Sequence, residues 1–169
     1  EISTPLIILI NETTASAAEV LAAAIGEHDK GLIIGIPTYG KGSVQLVRYL
    51  PNEGQFNLTW KELFSPYGFS LSEFGVLPKI CTKNIQPNTQ DNLKILNKSV
   101  ISKRHKHQKR FINQSRKQPE KNINPRFECK KSAKKDKPHG DYELKLAIDI
   151  LTSQTLYKRL INHSTMIKF

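Results

Sequence analysis

The 169-residue chain contains no apolar run near the roughly 20 residues that a membrane-spanning helix requires. It has neither a starting methionine nor the basic, apolar, small-residue succession of a signal peptide. It enters a strand-like run within four residues of Glu1, and the expectation from that abrupt start is a fragment whose earlier part lies elsewhere. Cysteine is scarce. Cys81 and Cys129 stand far apart and form no CxxC or Cys/His pattern, which excludes a zinc site of ordinary spacing. The two thiols either pair in an oxidising compartment or stay free, and spacing alone leaves both open. His105 and His107 sit among lysines and read as solvated side chains rather than ligands. No internal repeat is visible.

Acidic residues are missing from one stretch in particular. Residues 94–137 hold 16 of the 26 basic residues and 3 of the 15 acidic ones, a net +13, whereas the remainder carries −2. The overall charge of +11 therefore belongs to one segment. That segment lacks interleaved aromatics, with only Phe111 and Phe127, and it lacks a DNA-reading helix pattern. No specific nucleic-acid binding is expected from it. Contact with an anionic polymer or membrane surface through residues 94–137 is the alternative function it offers.

What is present reads as α/β. PLIILI (Pro5 to Ile10) and GLIIGI (Gly31 to Ile36) are continuous apolar runs of the kind that form strands buried on both faces. Between them AAEVLAAAIGEH has strong helix propensity, so the trio predicts a parallel crossover. SVQLVRYL and QFNLTWKELF alternate and are split by PNEG, which predicts a hairpin and hence a mixed sheet. Gln86 to Pro138 is rich in Lys, Asn, Gln and Ser and is expected to be a long insertion of low order. From Asp141, a plausible N-cap, Leu144, Ala147, Ile148, Leu151, Leu156 and Leu160 fall mostly on one face of one amphipathic helix. The expected organisation is a core over 1–85, a basic insertion over 86–137 and a returning helix over 138–169.

Two local patterns carry chemistry. Ser16 opens Ser-x-x-Glu, ending at Glu19, which by itself is a capping box. Small neighbours at Ala15, Ala17 and Ala18 suit helix packing and would equally leave room for a substrate backbone. Lys41 lies between Gly40 and Gly42 in TYGKGSVQ, directly after the second strand. A phosphate-binding loop is a weak alternative there, because the first glycine of that spacing is missing and a strand follows.

Residues 4–81 resemble the protease core of the carboxyl-terminal processing (tail-specific) peptidase family. NETTASAAE and YGKGSVQ match its serine and lysine segments, at Ser16 and Lys41, with Gln45 four residues on. SPYGFSLSEFGVLP matches its Pro-x-Gly…Gly-x-x-Pro stretch through Pro66, Gly68, Gly75 and Pro78. The helix from Asp141 resembles the family's closing helix. Departures are Thr14 in place of glycine, Tyr67 and Phe69 in the Pro-x-Gly-x-Ser segment, and Lys79 in place of aspartate. The resemblance implies a partial crotonase- or Clp-like α/β core and a serine endopeptidase acting near protein C-termini. It implies Ser16 as nucleophile, Lys41 as base, Gln45 as orienting amide and the Ala17 N–H as oxyanion donor. It further implies no cofactor, a protein or peptide substrate with an accessible C-terminus, a possible oligomer, and a periplasmic or inner-membrane-associated setting. A second oxyanion donor and a PDZ-like substrate domain are expected upstream of these residues. A catalytically silent fragment is the rival reading.

The residue types suit the chemistry. A lysine acts as base only when neutral, so a pKa of about 10.4 must fall by around three units, roughly 4 kcal/mol. Burial without a nearby carboxylate achieves this. No acidic residue lies within ten positions of Lys41. Gln45 is expected on the same strand face, where its amide adds no charge.

Overall fold

The structure is a computed structural model that describes residues 4–83, 91–96, 129, 140–162 and 167–168. Its centre is a four-stranded sheet in the order β1-β2-β5-β6. These strands are β1 (Ile7–Ile10), β2 (Leu32–Gly35), β5 (Ile80–Cys81) and β6 (Ile167–Lys168), and every neighbouring pair is parallel. Helix α1 (Ala17–Glu27) makes the crossover from β1 to β2, as the Ala/Leu-rich run between two apolar runs predicts.

Strand β2 is buried along its length, and its alternation feeds two cores. Leu32 and Ile34 face one side, where they meet Ile80, Leu96 and the C-terminal Leu146, Ile150, Leu156, Tyr157 and Leu160. Ile33 faces the other, with Ile10, Ala22, Ala23, Leu71 and Val76. The sheet is thus covered on one face by α1 and the short α2 (Leu71–Phe74) and on the other by the C-terminal helices. The alanines of α1 allow this close approach. A Cβ on Gly26 would already stand 2.7 Å from Ile33.

Four expectations are corrected. The sheet is not mixed: β3 (Ser43–Tyr49) and β4 (Gln55–Glu62) form the predicted hairpin, but as a separate two-stranded antiparallel ribbon. Nearly every residue of that ribbon is exposed, so its alternating pattern marks strand geometry without a sheet to join. β1 is an edge strand with Leu9 exposed, so only β2 has the double-faced burial expected of both runs. The C-terminal helix is two helices, Gly140–Thr152 and Gln154–Ile161, broken at Ser153. Thr152, Ser153 and Thr155 are weak helix formers whose hydroxyls compete for backbone partners. The break turns Tyr157 toward β1, where its hydroxyl accepts from the Leu6 N–H and donates to the Leu6 carbonyl, both at 3.0 Å. The first of these helices starts at Gly140, which places Asp141 inside it rather than at its cap.

Within the stretch expected to be of low order, residues 91–96 are helical and Leu96 is fully buried. Cys129 is buried and bonded to Cys81, with Cα atoms 5.9 Å apart, which settles the open question of the two thiols. The expectations for residues 86–90, 97–128 and 130–138 fall outside the described residues. Closing a loop of 48 residues restricts the unfolded chain by about 4 kcal/mol. Reduction, or Cys81→Ser, is expected to lower unfolding stability by about 2–4 kcal/mol. Urea melts with and without reductant measure it, and coincident midpoints would contradict it.

Lys79 anchors the two halves. Its ammonium donates to the Asp29 carboxylate at 3.2 Å and to the Ile161 carbonyl at the end of the last helix. Burial pushes its pKa below the ordinary lysine value, with Asp29 acting in the opposite sense. The Thr82 hydroxyl bonds Glu143 and ties the end of β5 to helix Gly140–Thr152.

Candidate active site

The turn from β1 into α1 is tied by Asn11, whose side-chain oxygen accepts from the Thr13 and Thr14 N–H groups at 3.0 and 3.1 Å. Thr14, the departure from glycine, fits because its hydroxyl oxygen accepts from the Asn11 N–H at 3.1 Å. The chain then reaches Ser16 at φ 56°, ψ −123°. This is positive-φ backbone away from the left-handed helical well, and a residue with a Cβ costs of order 1–3 kcal/mol there. An ordinary cap uses extended backbone and needs no such strain. Ser16 is exposed at the summit of this strand-to-helix turn. Ala17 opens α1, so its N–H is one of the first-turn donors that an α-helix leaves without internal partners, at the positive end of the dipole.

The second wall of the site is the loop 36–42. Gly40 has φ 92°, and Gly42 leaves no room for a side chain, because a Cβ there would stand 2.4 Å from the Ser72 nitrogen. Together they hold Lys41 outside the ladder of β3, which begins at Ser43. Lys41 and Gln45 therefore do not share a strand face as the four-residue spacing suggested; a register shift between Val44 and Gln45 intervenes. They are brought together another way. Ser16, Lys41, Ser43, Val44, Gln45 and Leu63 line one cavity of about 250 Å³. A larger one, about 340 Å³, lies apart between Pro5, Asp29 and Tyr157. The burial expected for Lys41 is not observed, since the residue is exposed.

Glu19 connects the two walls. Sequence reading placed it as the third residue of a capping box, and its carboxylate does accept from the Ser16 N–H at 2.9 Å. The same oxygen accepts from the Lys41 N–H at 2.8 Å. The other oxygen accepts from the Gly40 N–H at 2.7 Å and from the Thr38 hydroxyl. Thr38 accepts in turn from the Val76 N–H at 2.7 Å, and Gly75 sits so close that a Cβ would approach the Thr38 hydroxyl to 2.7 Å. This accounts for the Gly75–Pro78 segment: it backs the lysine loop. Ser65–Gly68 does similar work at the other end of α1. The Tyr67 N–H donates to Glu27 at 2.6 Å, and burial raises the Glu27 pKa above the ordinary glutamate value, against the lowering effects of the Ser65 and Tyr67 bonds and of His28. Sequence reading missed Glu19 as a bridge because its local partner at Ser16 already explains it.

The described residues thus define an α/β protein in which a strained serine on a strand-to-helix turn meets a lysine-bearing loop across one cavity. Comparison with known proteins shows what the first half of the chain is similar to. Residues 1–82 match the profile of peptidase family S41. A carboxy-terminal-processing protease of Bartonella bacilliformis is 39% identical over 83 residues, 49% of this chain and 19% of that protein. The chloroplastic C-terminal processing peptidase of Tetradesmus obliquus is 40% identical over 78 residues, 46% of this chain and 17% of that protein. Among solved structures, a photosystem II D1 C-terminal processing protease is matched at 38% identity and a TM-score of 0.44, over 48% of this chain and 21% of that one. Residues 1–82 are similar to peptidase family S41, and the relatives they match are carboxyl-terminal processing proteases. The chain spans about a fifth of the length of those curated relatives.

Proposed function

We propose that this chain supplies the nucleophile-bearing part of a serine peptidase that cleaves proteins near their C-termini. In this reading the neutral Lys41 amine takes the Ser16 proton as the Ser16 oxygen attacks the scissile carbonyl carbon. The Ala17 N–H donates to the oxyanion that develops. Collapse expels the amine of the leaving fragment, which takes the proton held by Lys41. Water, activated by Lys41, then cleaves the acyl-serine and restores the hydroxyl. Gln45 orients the lysine without adding a charge that would hold it protonated. The scheme uses no cofactor.

The observation that carries the reading is the strained backbone of Ser16 beside a cavity shared with Lys41 and Gln45. Strain of this kind persists where the position of the side chain matters. The exposure of Lys41 favours a refinement: the upstream parts of the peptidase would complete the crotonase-like core and cover the amine. We place the protein in the periplasm or a comparable oxidising compartment. The Cys81–Cys129 disulfide supports that setting, and bacterial and chloroplastic relatives are compatible with it. No helix among the described residues is long and apolar enough to cross a membrane. Binding of an anionic polymer or membrane through residues 94–137 remains the separate function that the charge pattern offers.

Ser16→Ala tests the nucleophile. With the upstream part of a processing protease supplied, a fluorophosphonate probe is expected to label the parent at Ser16 and to leave Ser16→Ala unlabelled. Equal labelling of both, or none of the parent, would defeat the assignment.

A further inference from the structure

We infer that Glu19 is a positioning residue that sets the distance between the serine turn and the lysine loop; this rests on the peptidase reading for its purpose but not for its geometry. The carboxylate is 0% exposed. Its four partners are the N–H groups of Ser16, Gly40 and Lys41 and the Thr38 hydroxyl, two on each oxygen. The Thr38 hydroxyl oxygen is already an acceptor for Val76, so its proton is the one that points at Glu19. All four partners donate, which uses the accepting capacity of both carboxylate oxygens. A cap of α1 needs only the bond to Ser16. The other three reach 19 to 22 positions along the chain and serve the lysine loop instead.

The consequence is mechanical. One Glu19 oxygen holds the backbone nitrogens of Ser16 and Lys41 together at 2.9 and 2.8 Å, so the two segments that carry the candidate nucleophile and base share a single rigid anchor. The Tyr39 N–H to the Thr14 carbonyl, at 2.9 Å, adds a direct backbone bond between the same two segments. Buried backbone donors without a partner are costly, so loss of the carboxylate releases the loop rather than leaving it in place. Glu19→Gln replaces one accepting oxygen with a donating amide and sets two donors facing each other.

Hydrogen exchange by NMR on the full chain tests this. In the unsubstituted protein the amides of Ser16, Gly40 and Lys41 are expected to exchange as one unit, with protection factors within about threefold of each other. Widely different protection at Lys41, an exposed loop residue, would overturn the inference without recourse to any variant. In Glu19→Gln, exchange at Gly40 and Lys41 is expected to rise at least about tenfold while Ile34 in β2 is unchanged. No rise, or an equal rise at Ile34, would show Glu19 to be merely part of the general fold. A second readout addresses purpose. With the upstream segment supplied, Glu19→Gln is expected to slow probe labelling of Ser16 at least about tenfold and to shift its pH profile, with the KM of a peptide substrate unchanged. Normal labelling alongside a released loop would refute the positioning role. If the parent itself is not labelled, the peptidase reading falls while the exchange measurements still decide the anchor.

Discussion

Gly35→Ala is expected to be the most damaging single methyl addition in the molecule. Gly35 closes the β1–β2 ladder opposite Ile10 at φ +136°, a conformation that residues with a Cβ rarely adopt. The added carbon would stand 1.9 Å from the Ile10 carbonyl oxygen and 2.9 Å from its carbon. Backbone cannot swing aside as a flexible side chain does, so the ladder must part. A loss of about 3–5 kcal/mol is expected, a large share of the 5–15 kcal/mol that ordinarily holds a domain together. Gly68→Ala separates the two causes. Gly68 also has positive φ, at +86°, but its Cβ would meet nothing within 4 Å. It should cost about 1 kcal/mol from backbone strain alone. Chemical denaturation of both variants checks this, and equal losses would mean that the contact with Ile10 is not the cause. The damage should also reach the site, because β1 leads into the Ser16 turn and β2 into the Lys41 loop.

Lys41→Met is expected to remove hydrolysis while leaving the fold intact. The side chain is exposed and its structural bond, from the backbone N–H to Glu19, survives any side-chain change. Thermal stability should therefore match the parent. Loss of a general base typically lowers turnover by about 10²–10⁴-fold. With the upstream segment supplied and a peptide bearing a free, apolar C-terminus as substrate, kcat should fall by that factor with KM little changed. Lys41→Arg should not rescue it, because a guanidinium does not give up its proton in a protein. Turnover of either variant within threefold of the parent would exclude Lys41 as the base.

The parts of the fold legible in sequence were those governed by local order. β2 is a pure apolar run, α1 an alanine-rich one, and the β3–β4 turn announces itself through Asn52, Glu53 and Gly54. What could not be read depends on partners distant along the chain. Alternation identified β3 and β4 as strands but could not say that they pair only with each other. Cys81, in β5, meets Cys129 across 48 positions of the chain. Tyr157 finds Leu6 across 151 positions, and that contact accompanies a helix break which amphipathic periodicity ran straight through. Around the cavity, Ser16, Lys41 and Gln45 were legible through family resemblance, and all three line it. Glu19 was visible only as a cap, since three of its four bonds go to a loop about twenty positions away.

The match to the profile of family S41 ends at residue 82, but the fold does not stop there. Leu32, Ile34 and Ile80 bury their side chains against Leu96, Leu146, Ile150, Leu156 and Leu160, which all lie beyond that boundary. A gene that kept the first half and lost the second would encode a sheet with one greasy face bare to water. The half that matches the family and the residues that cover its sheet therefore stand or fall together as one folding unit.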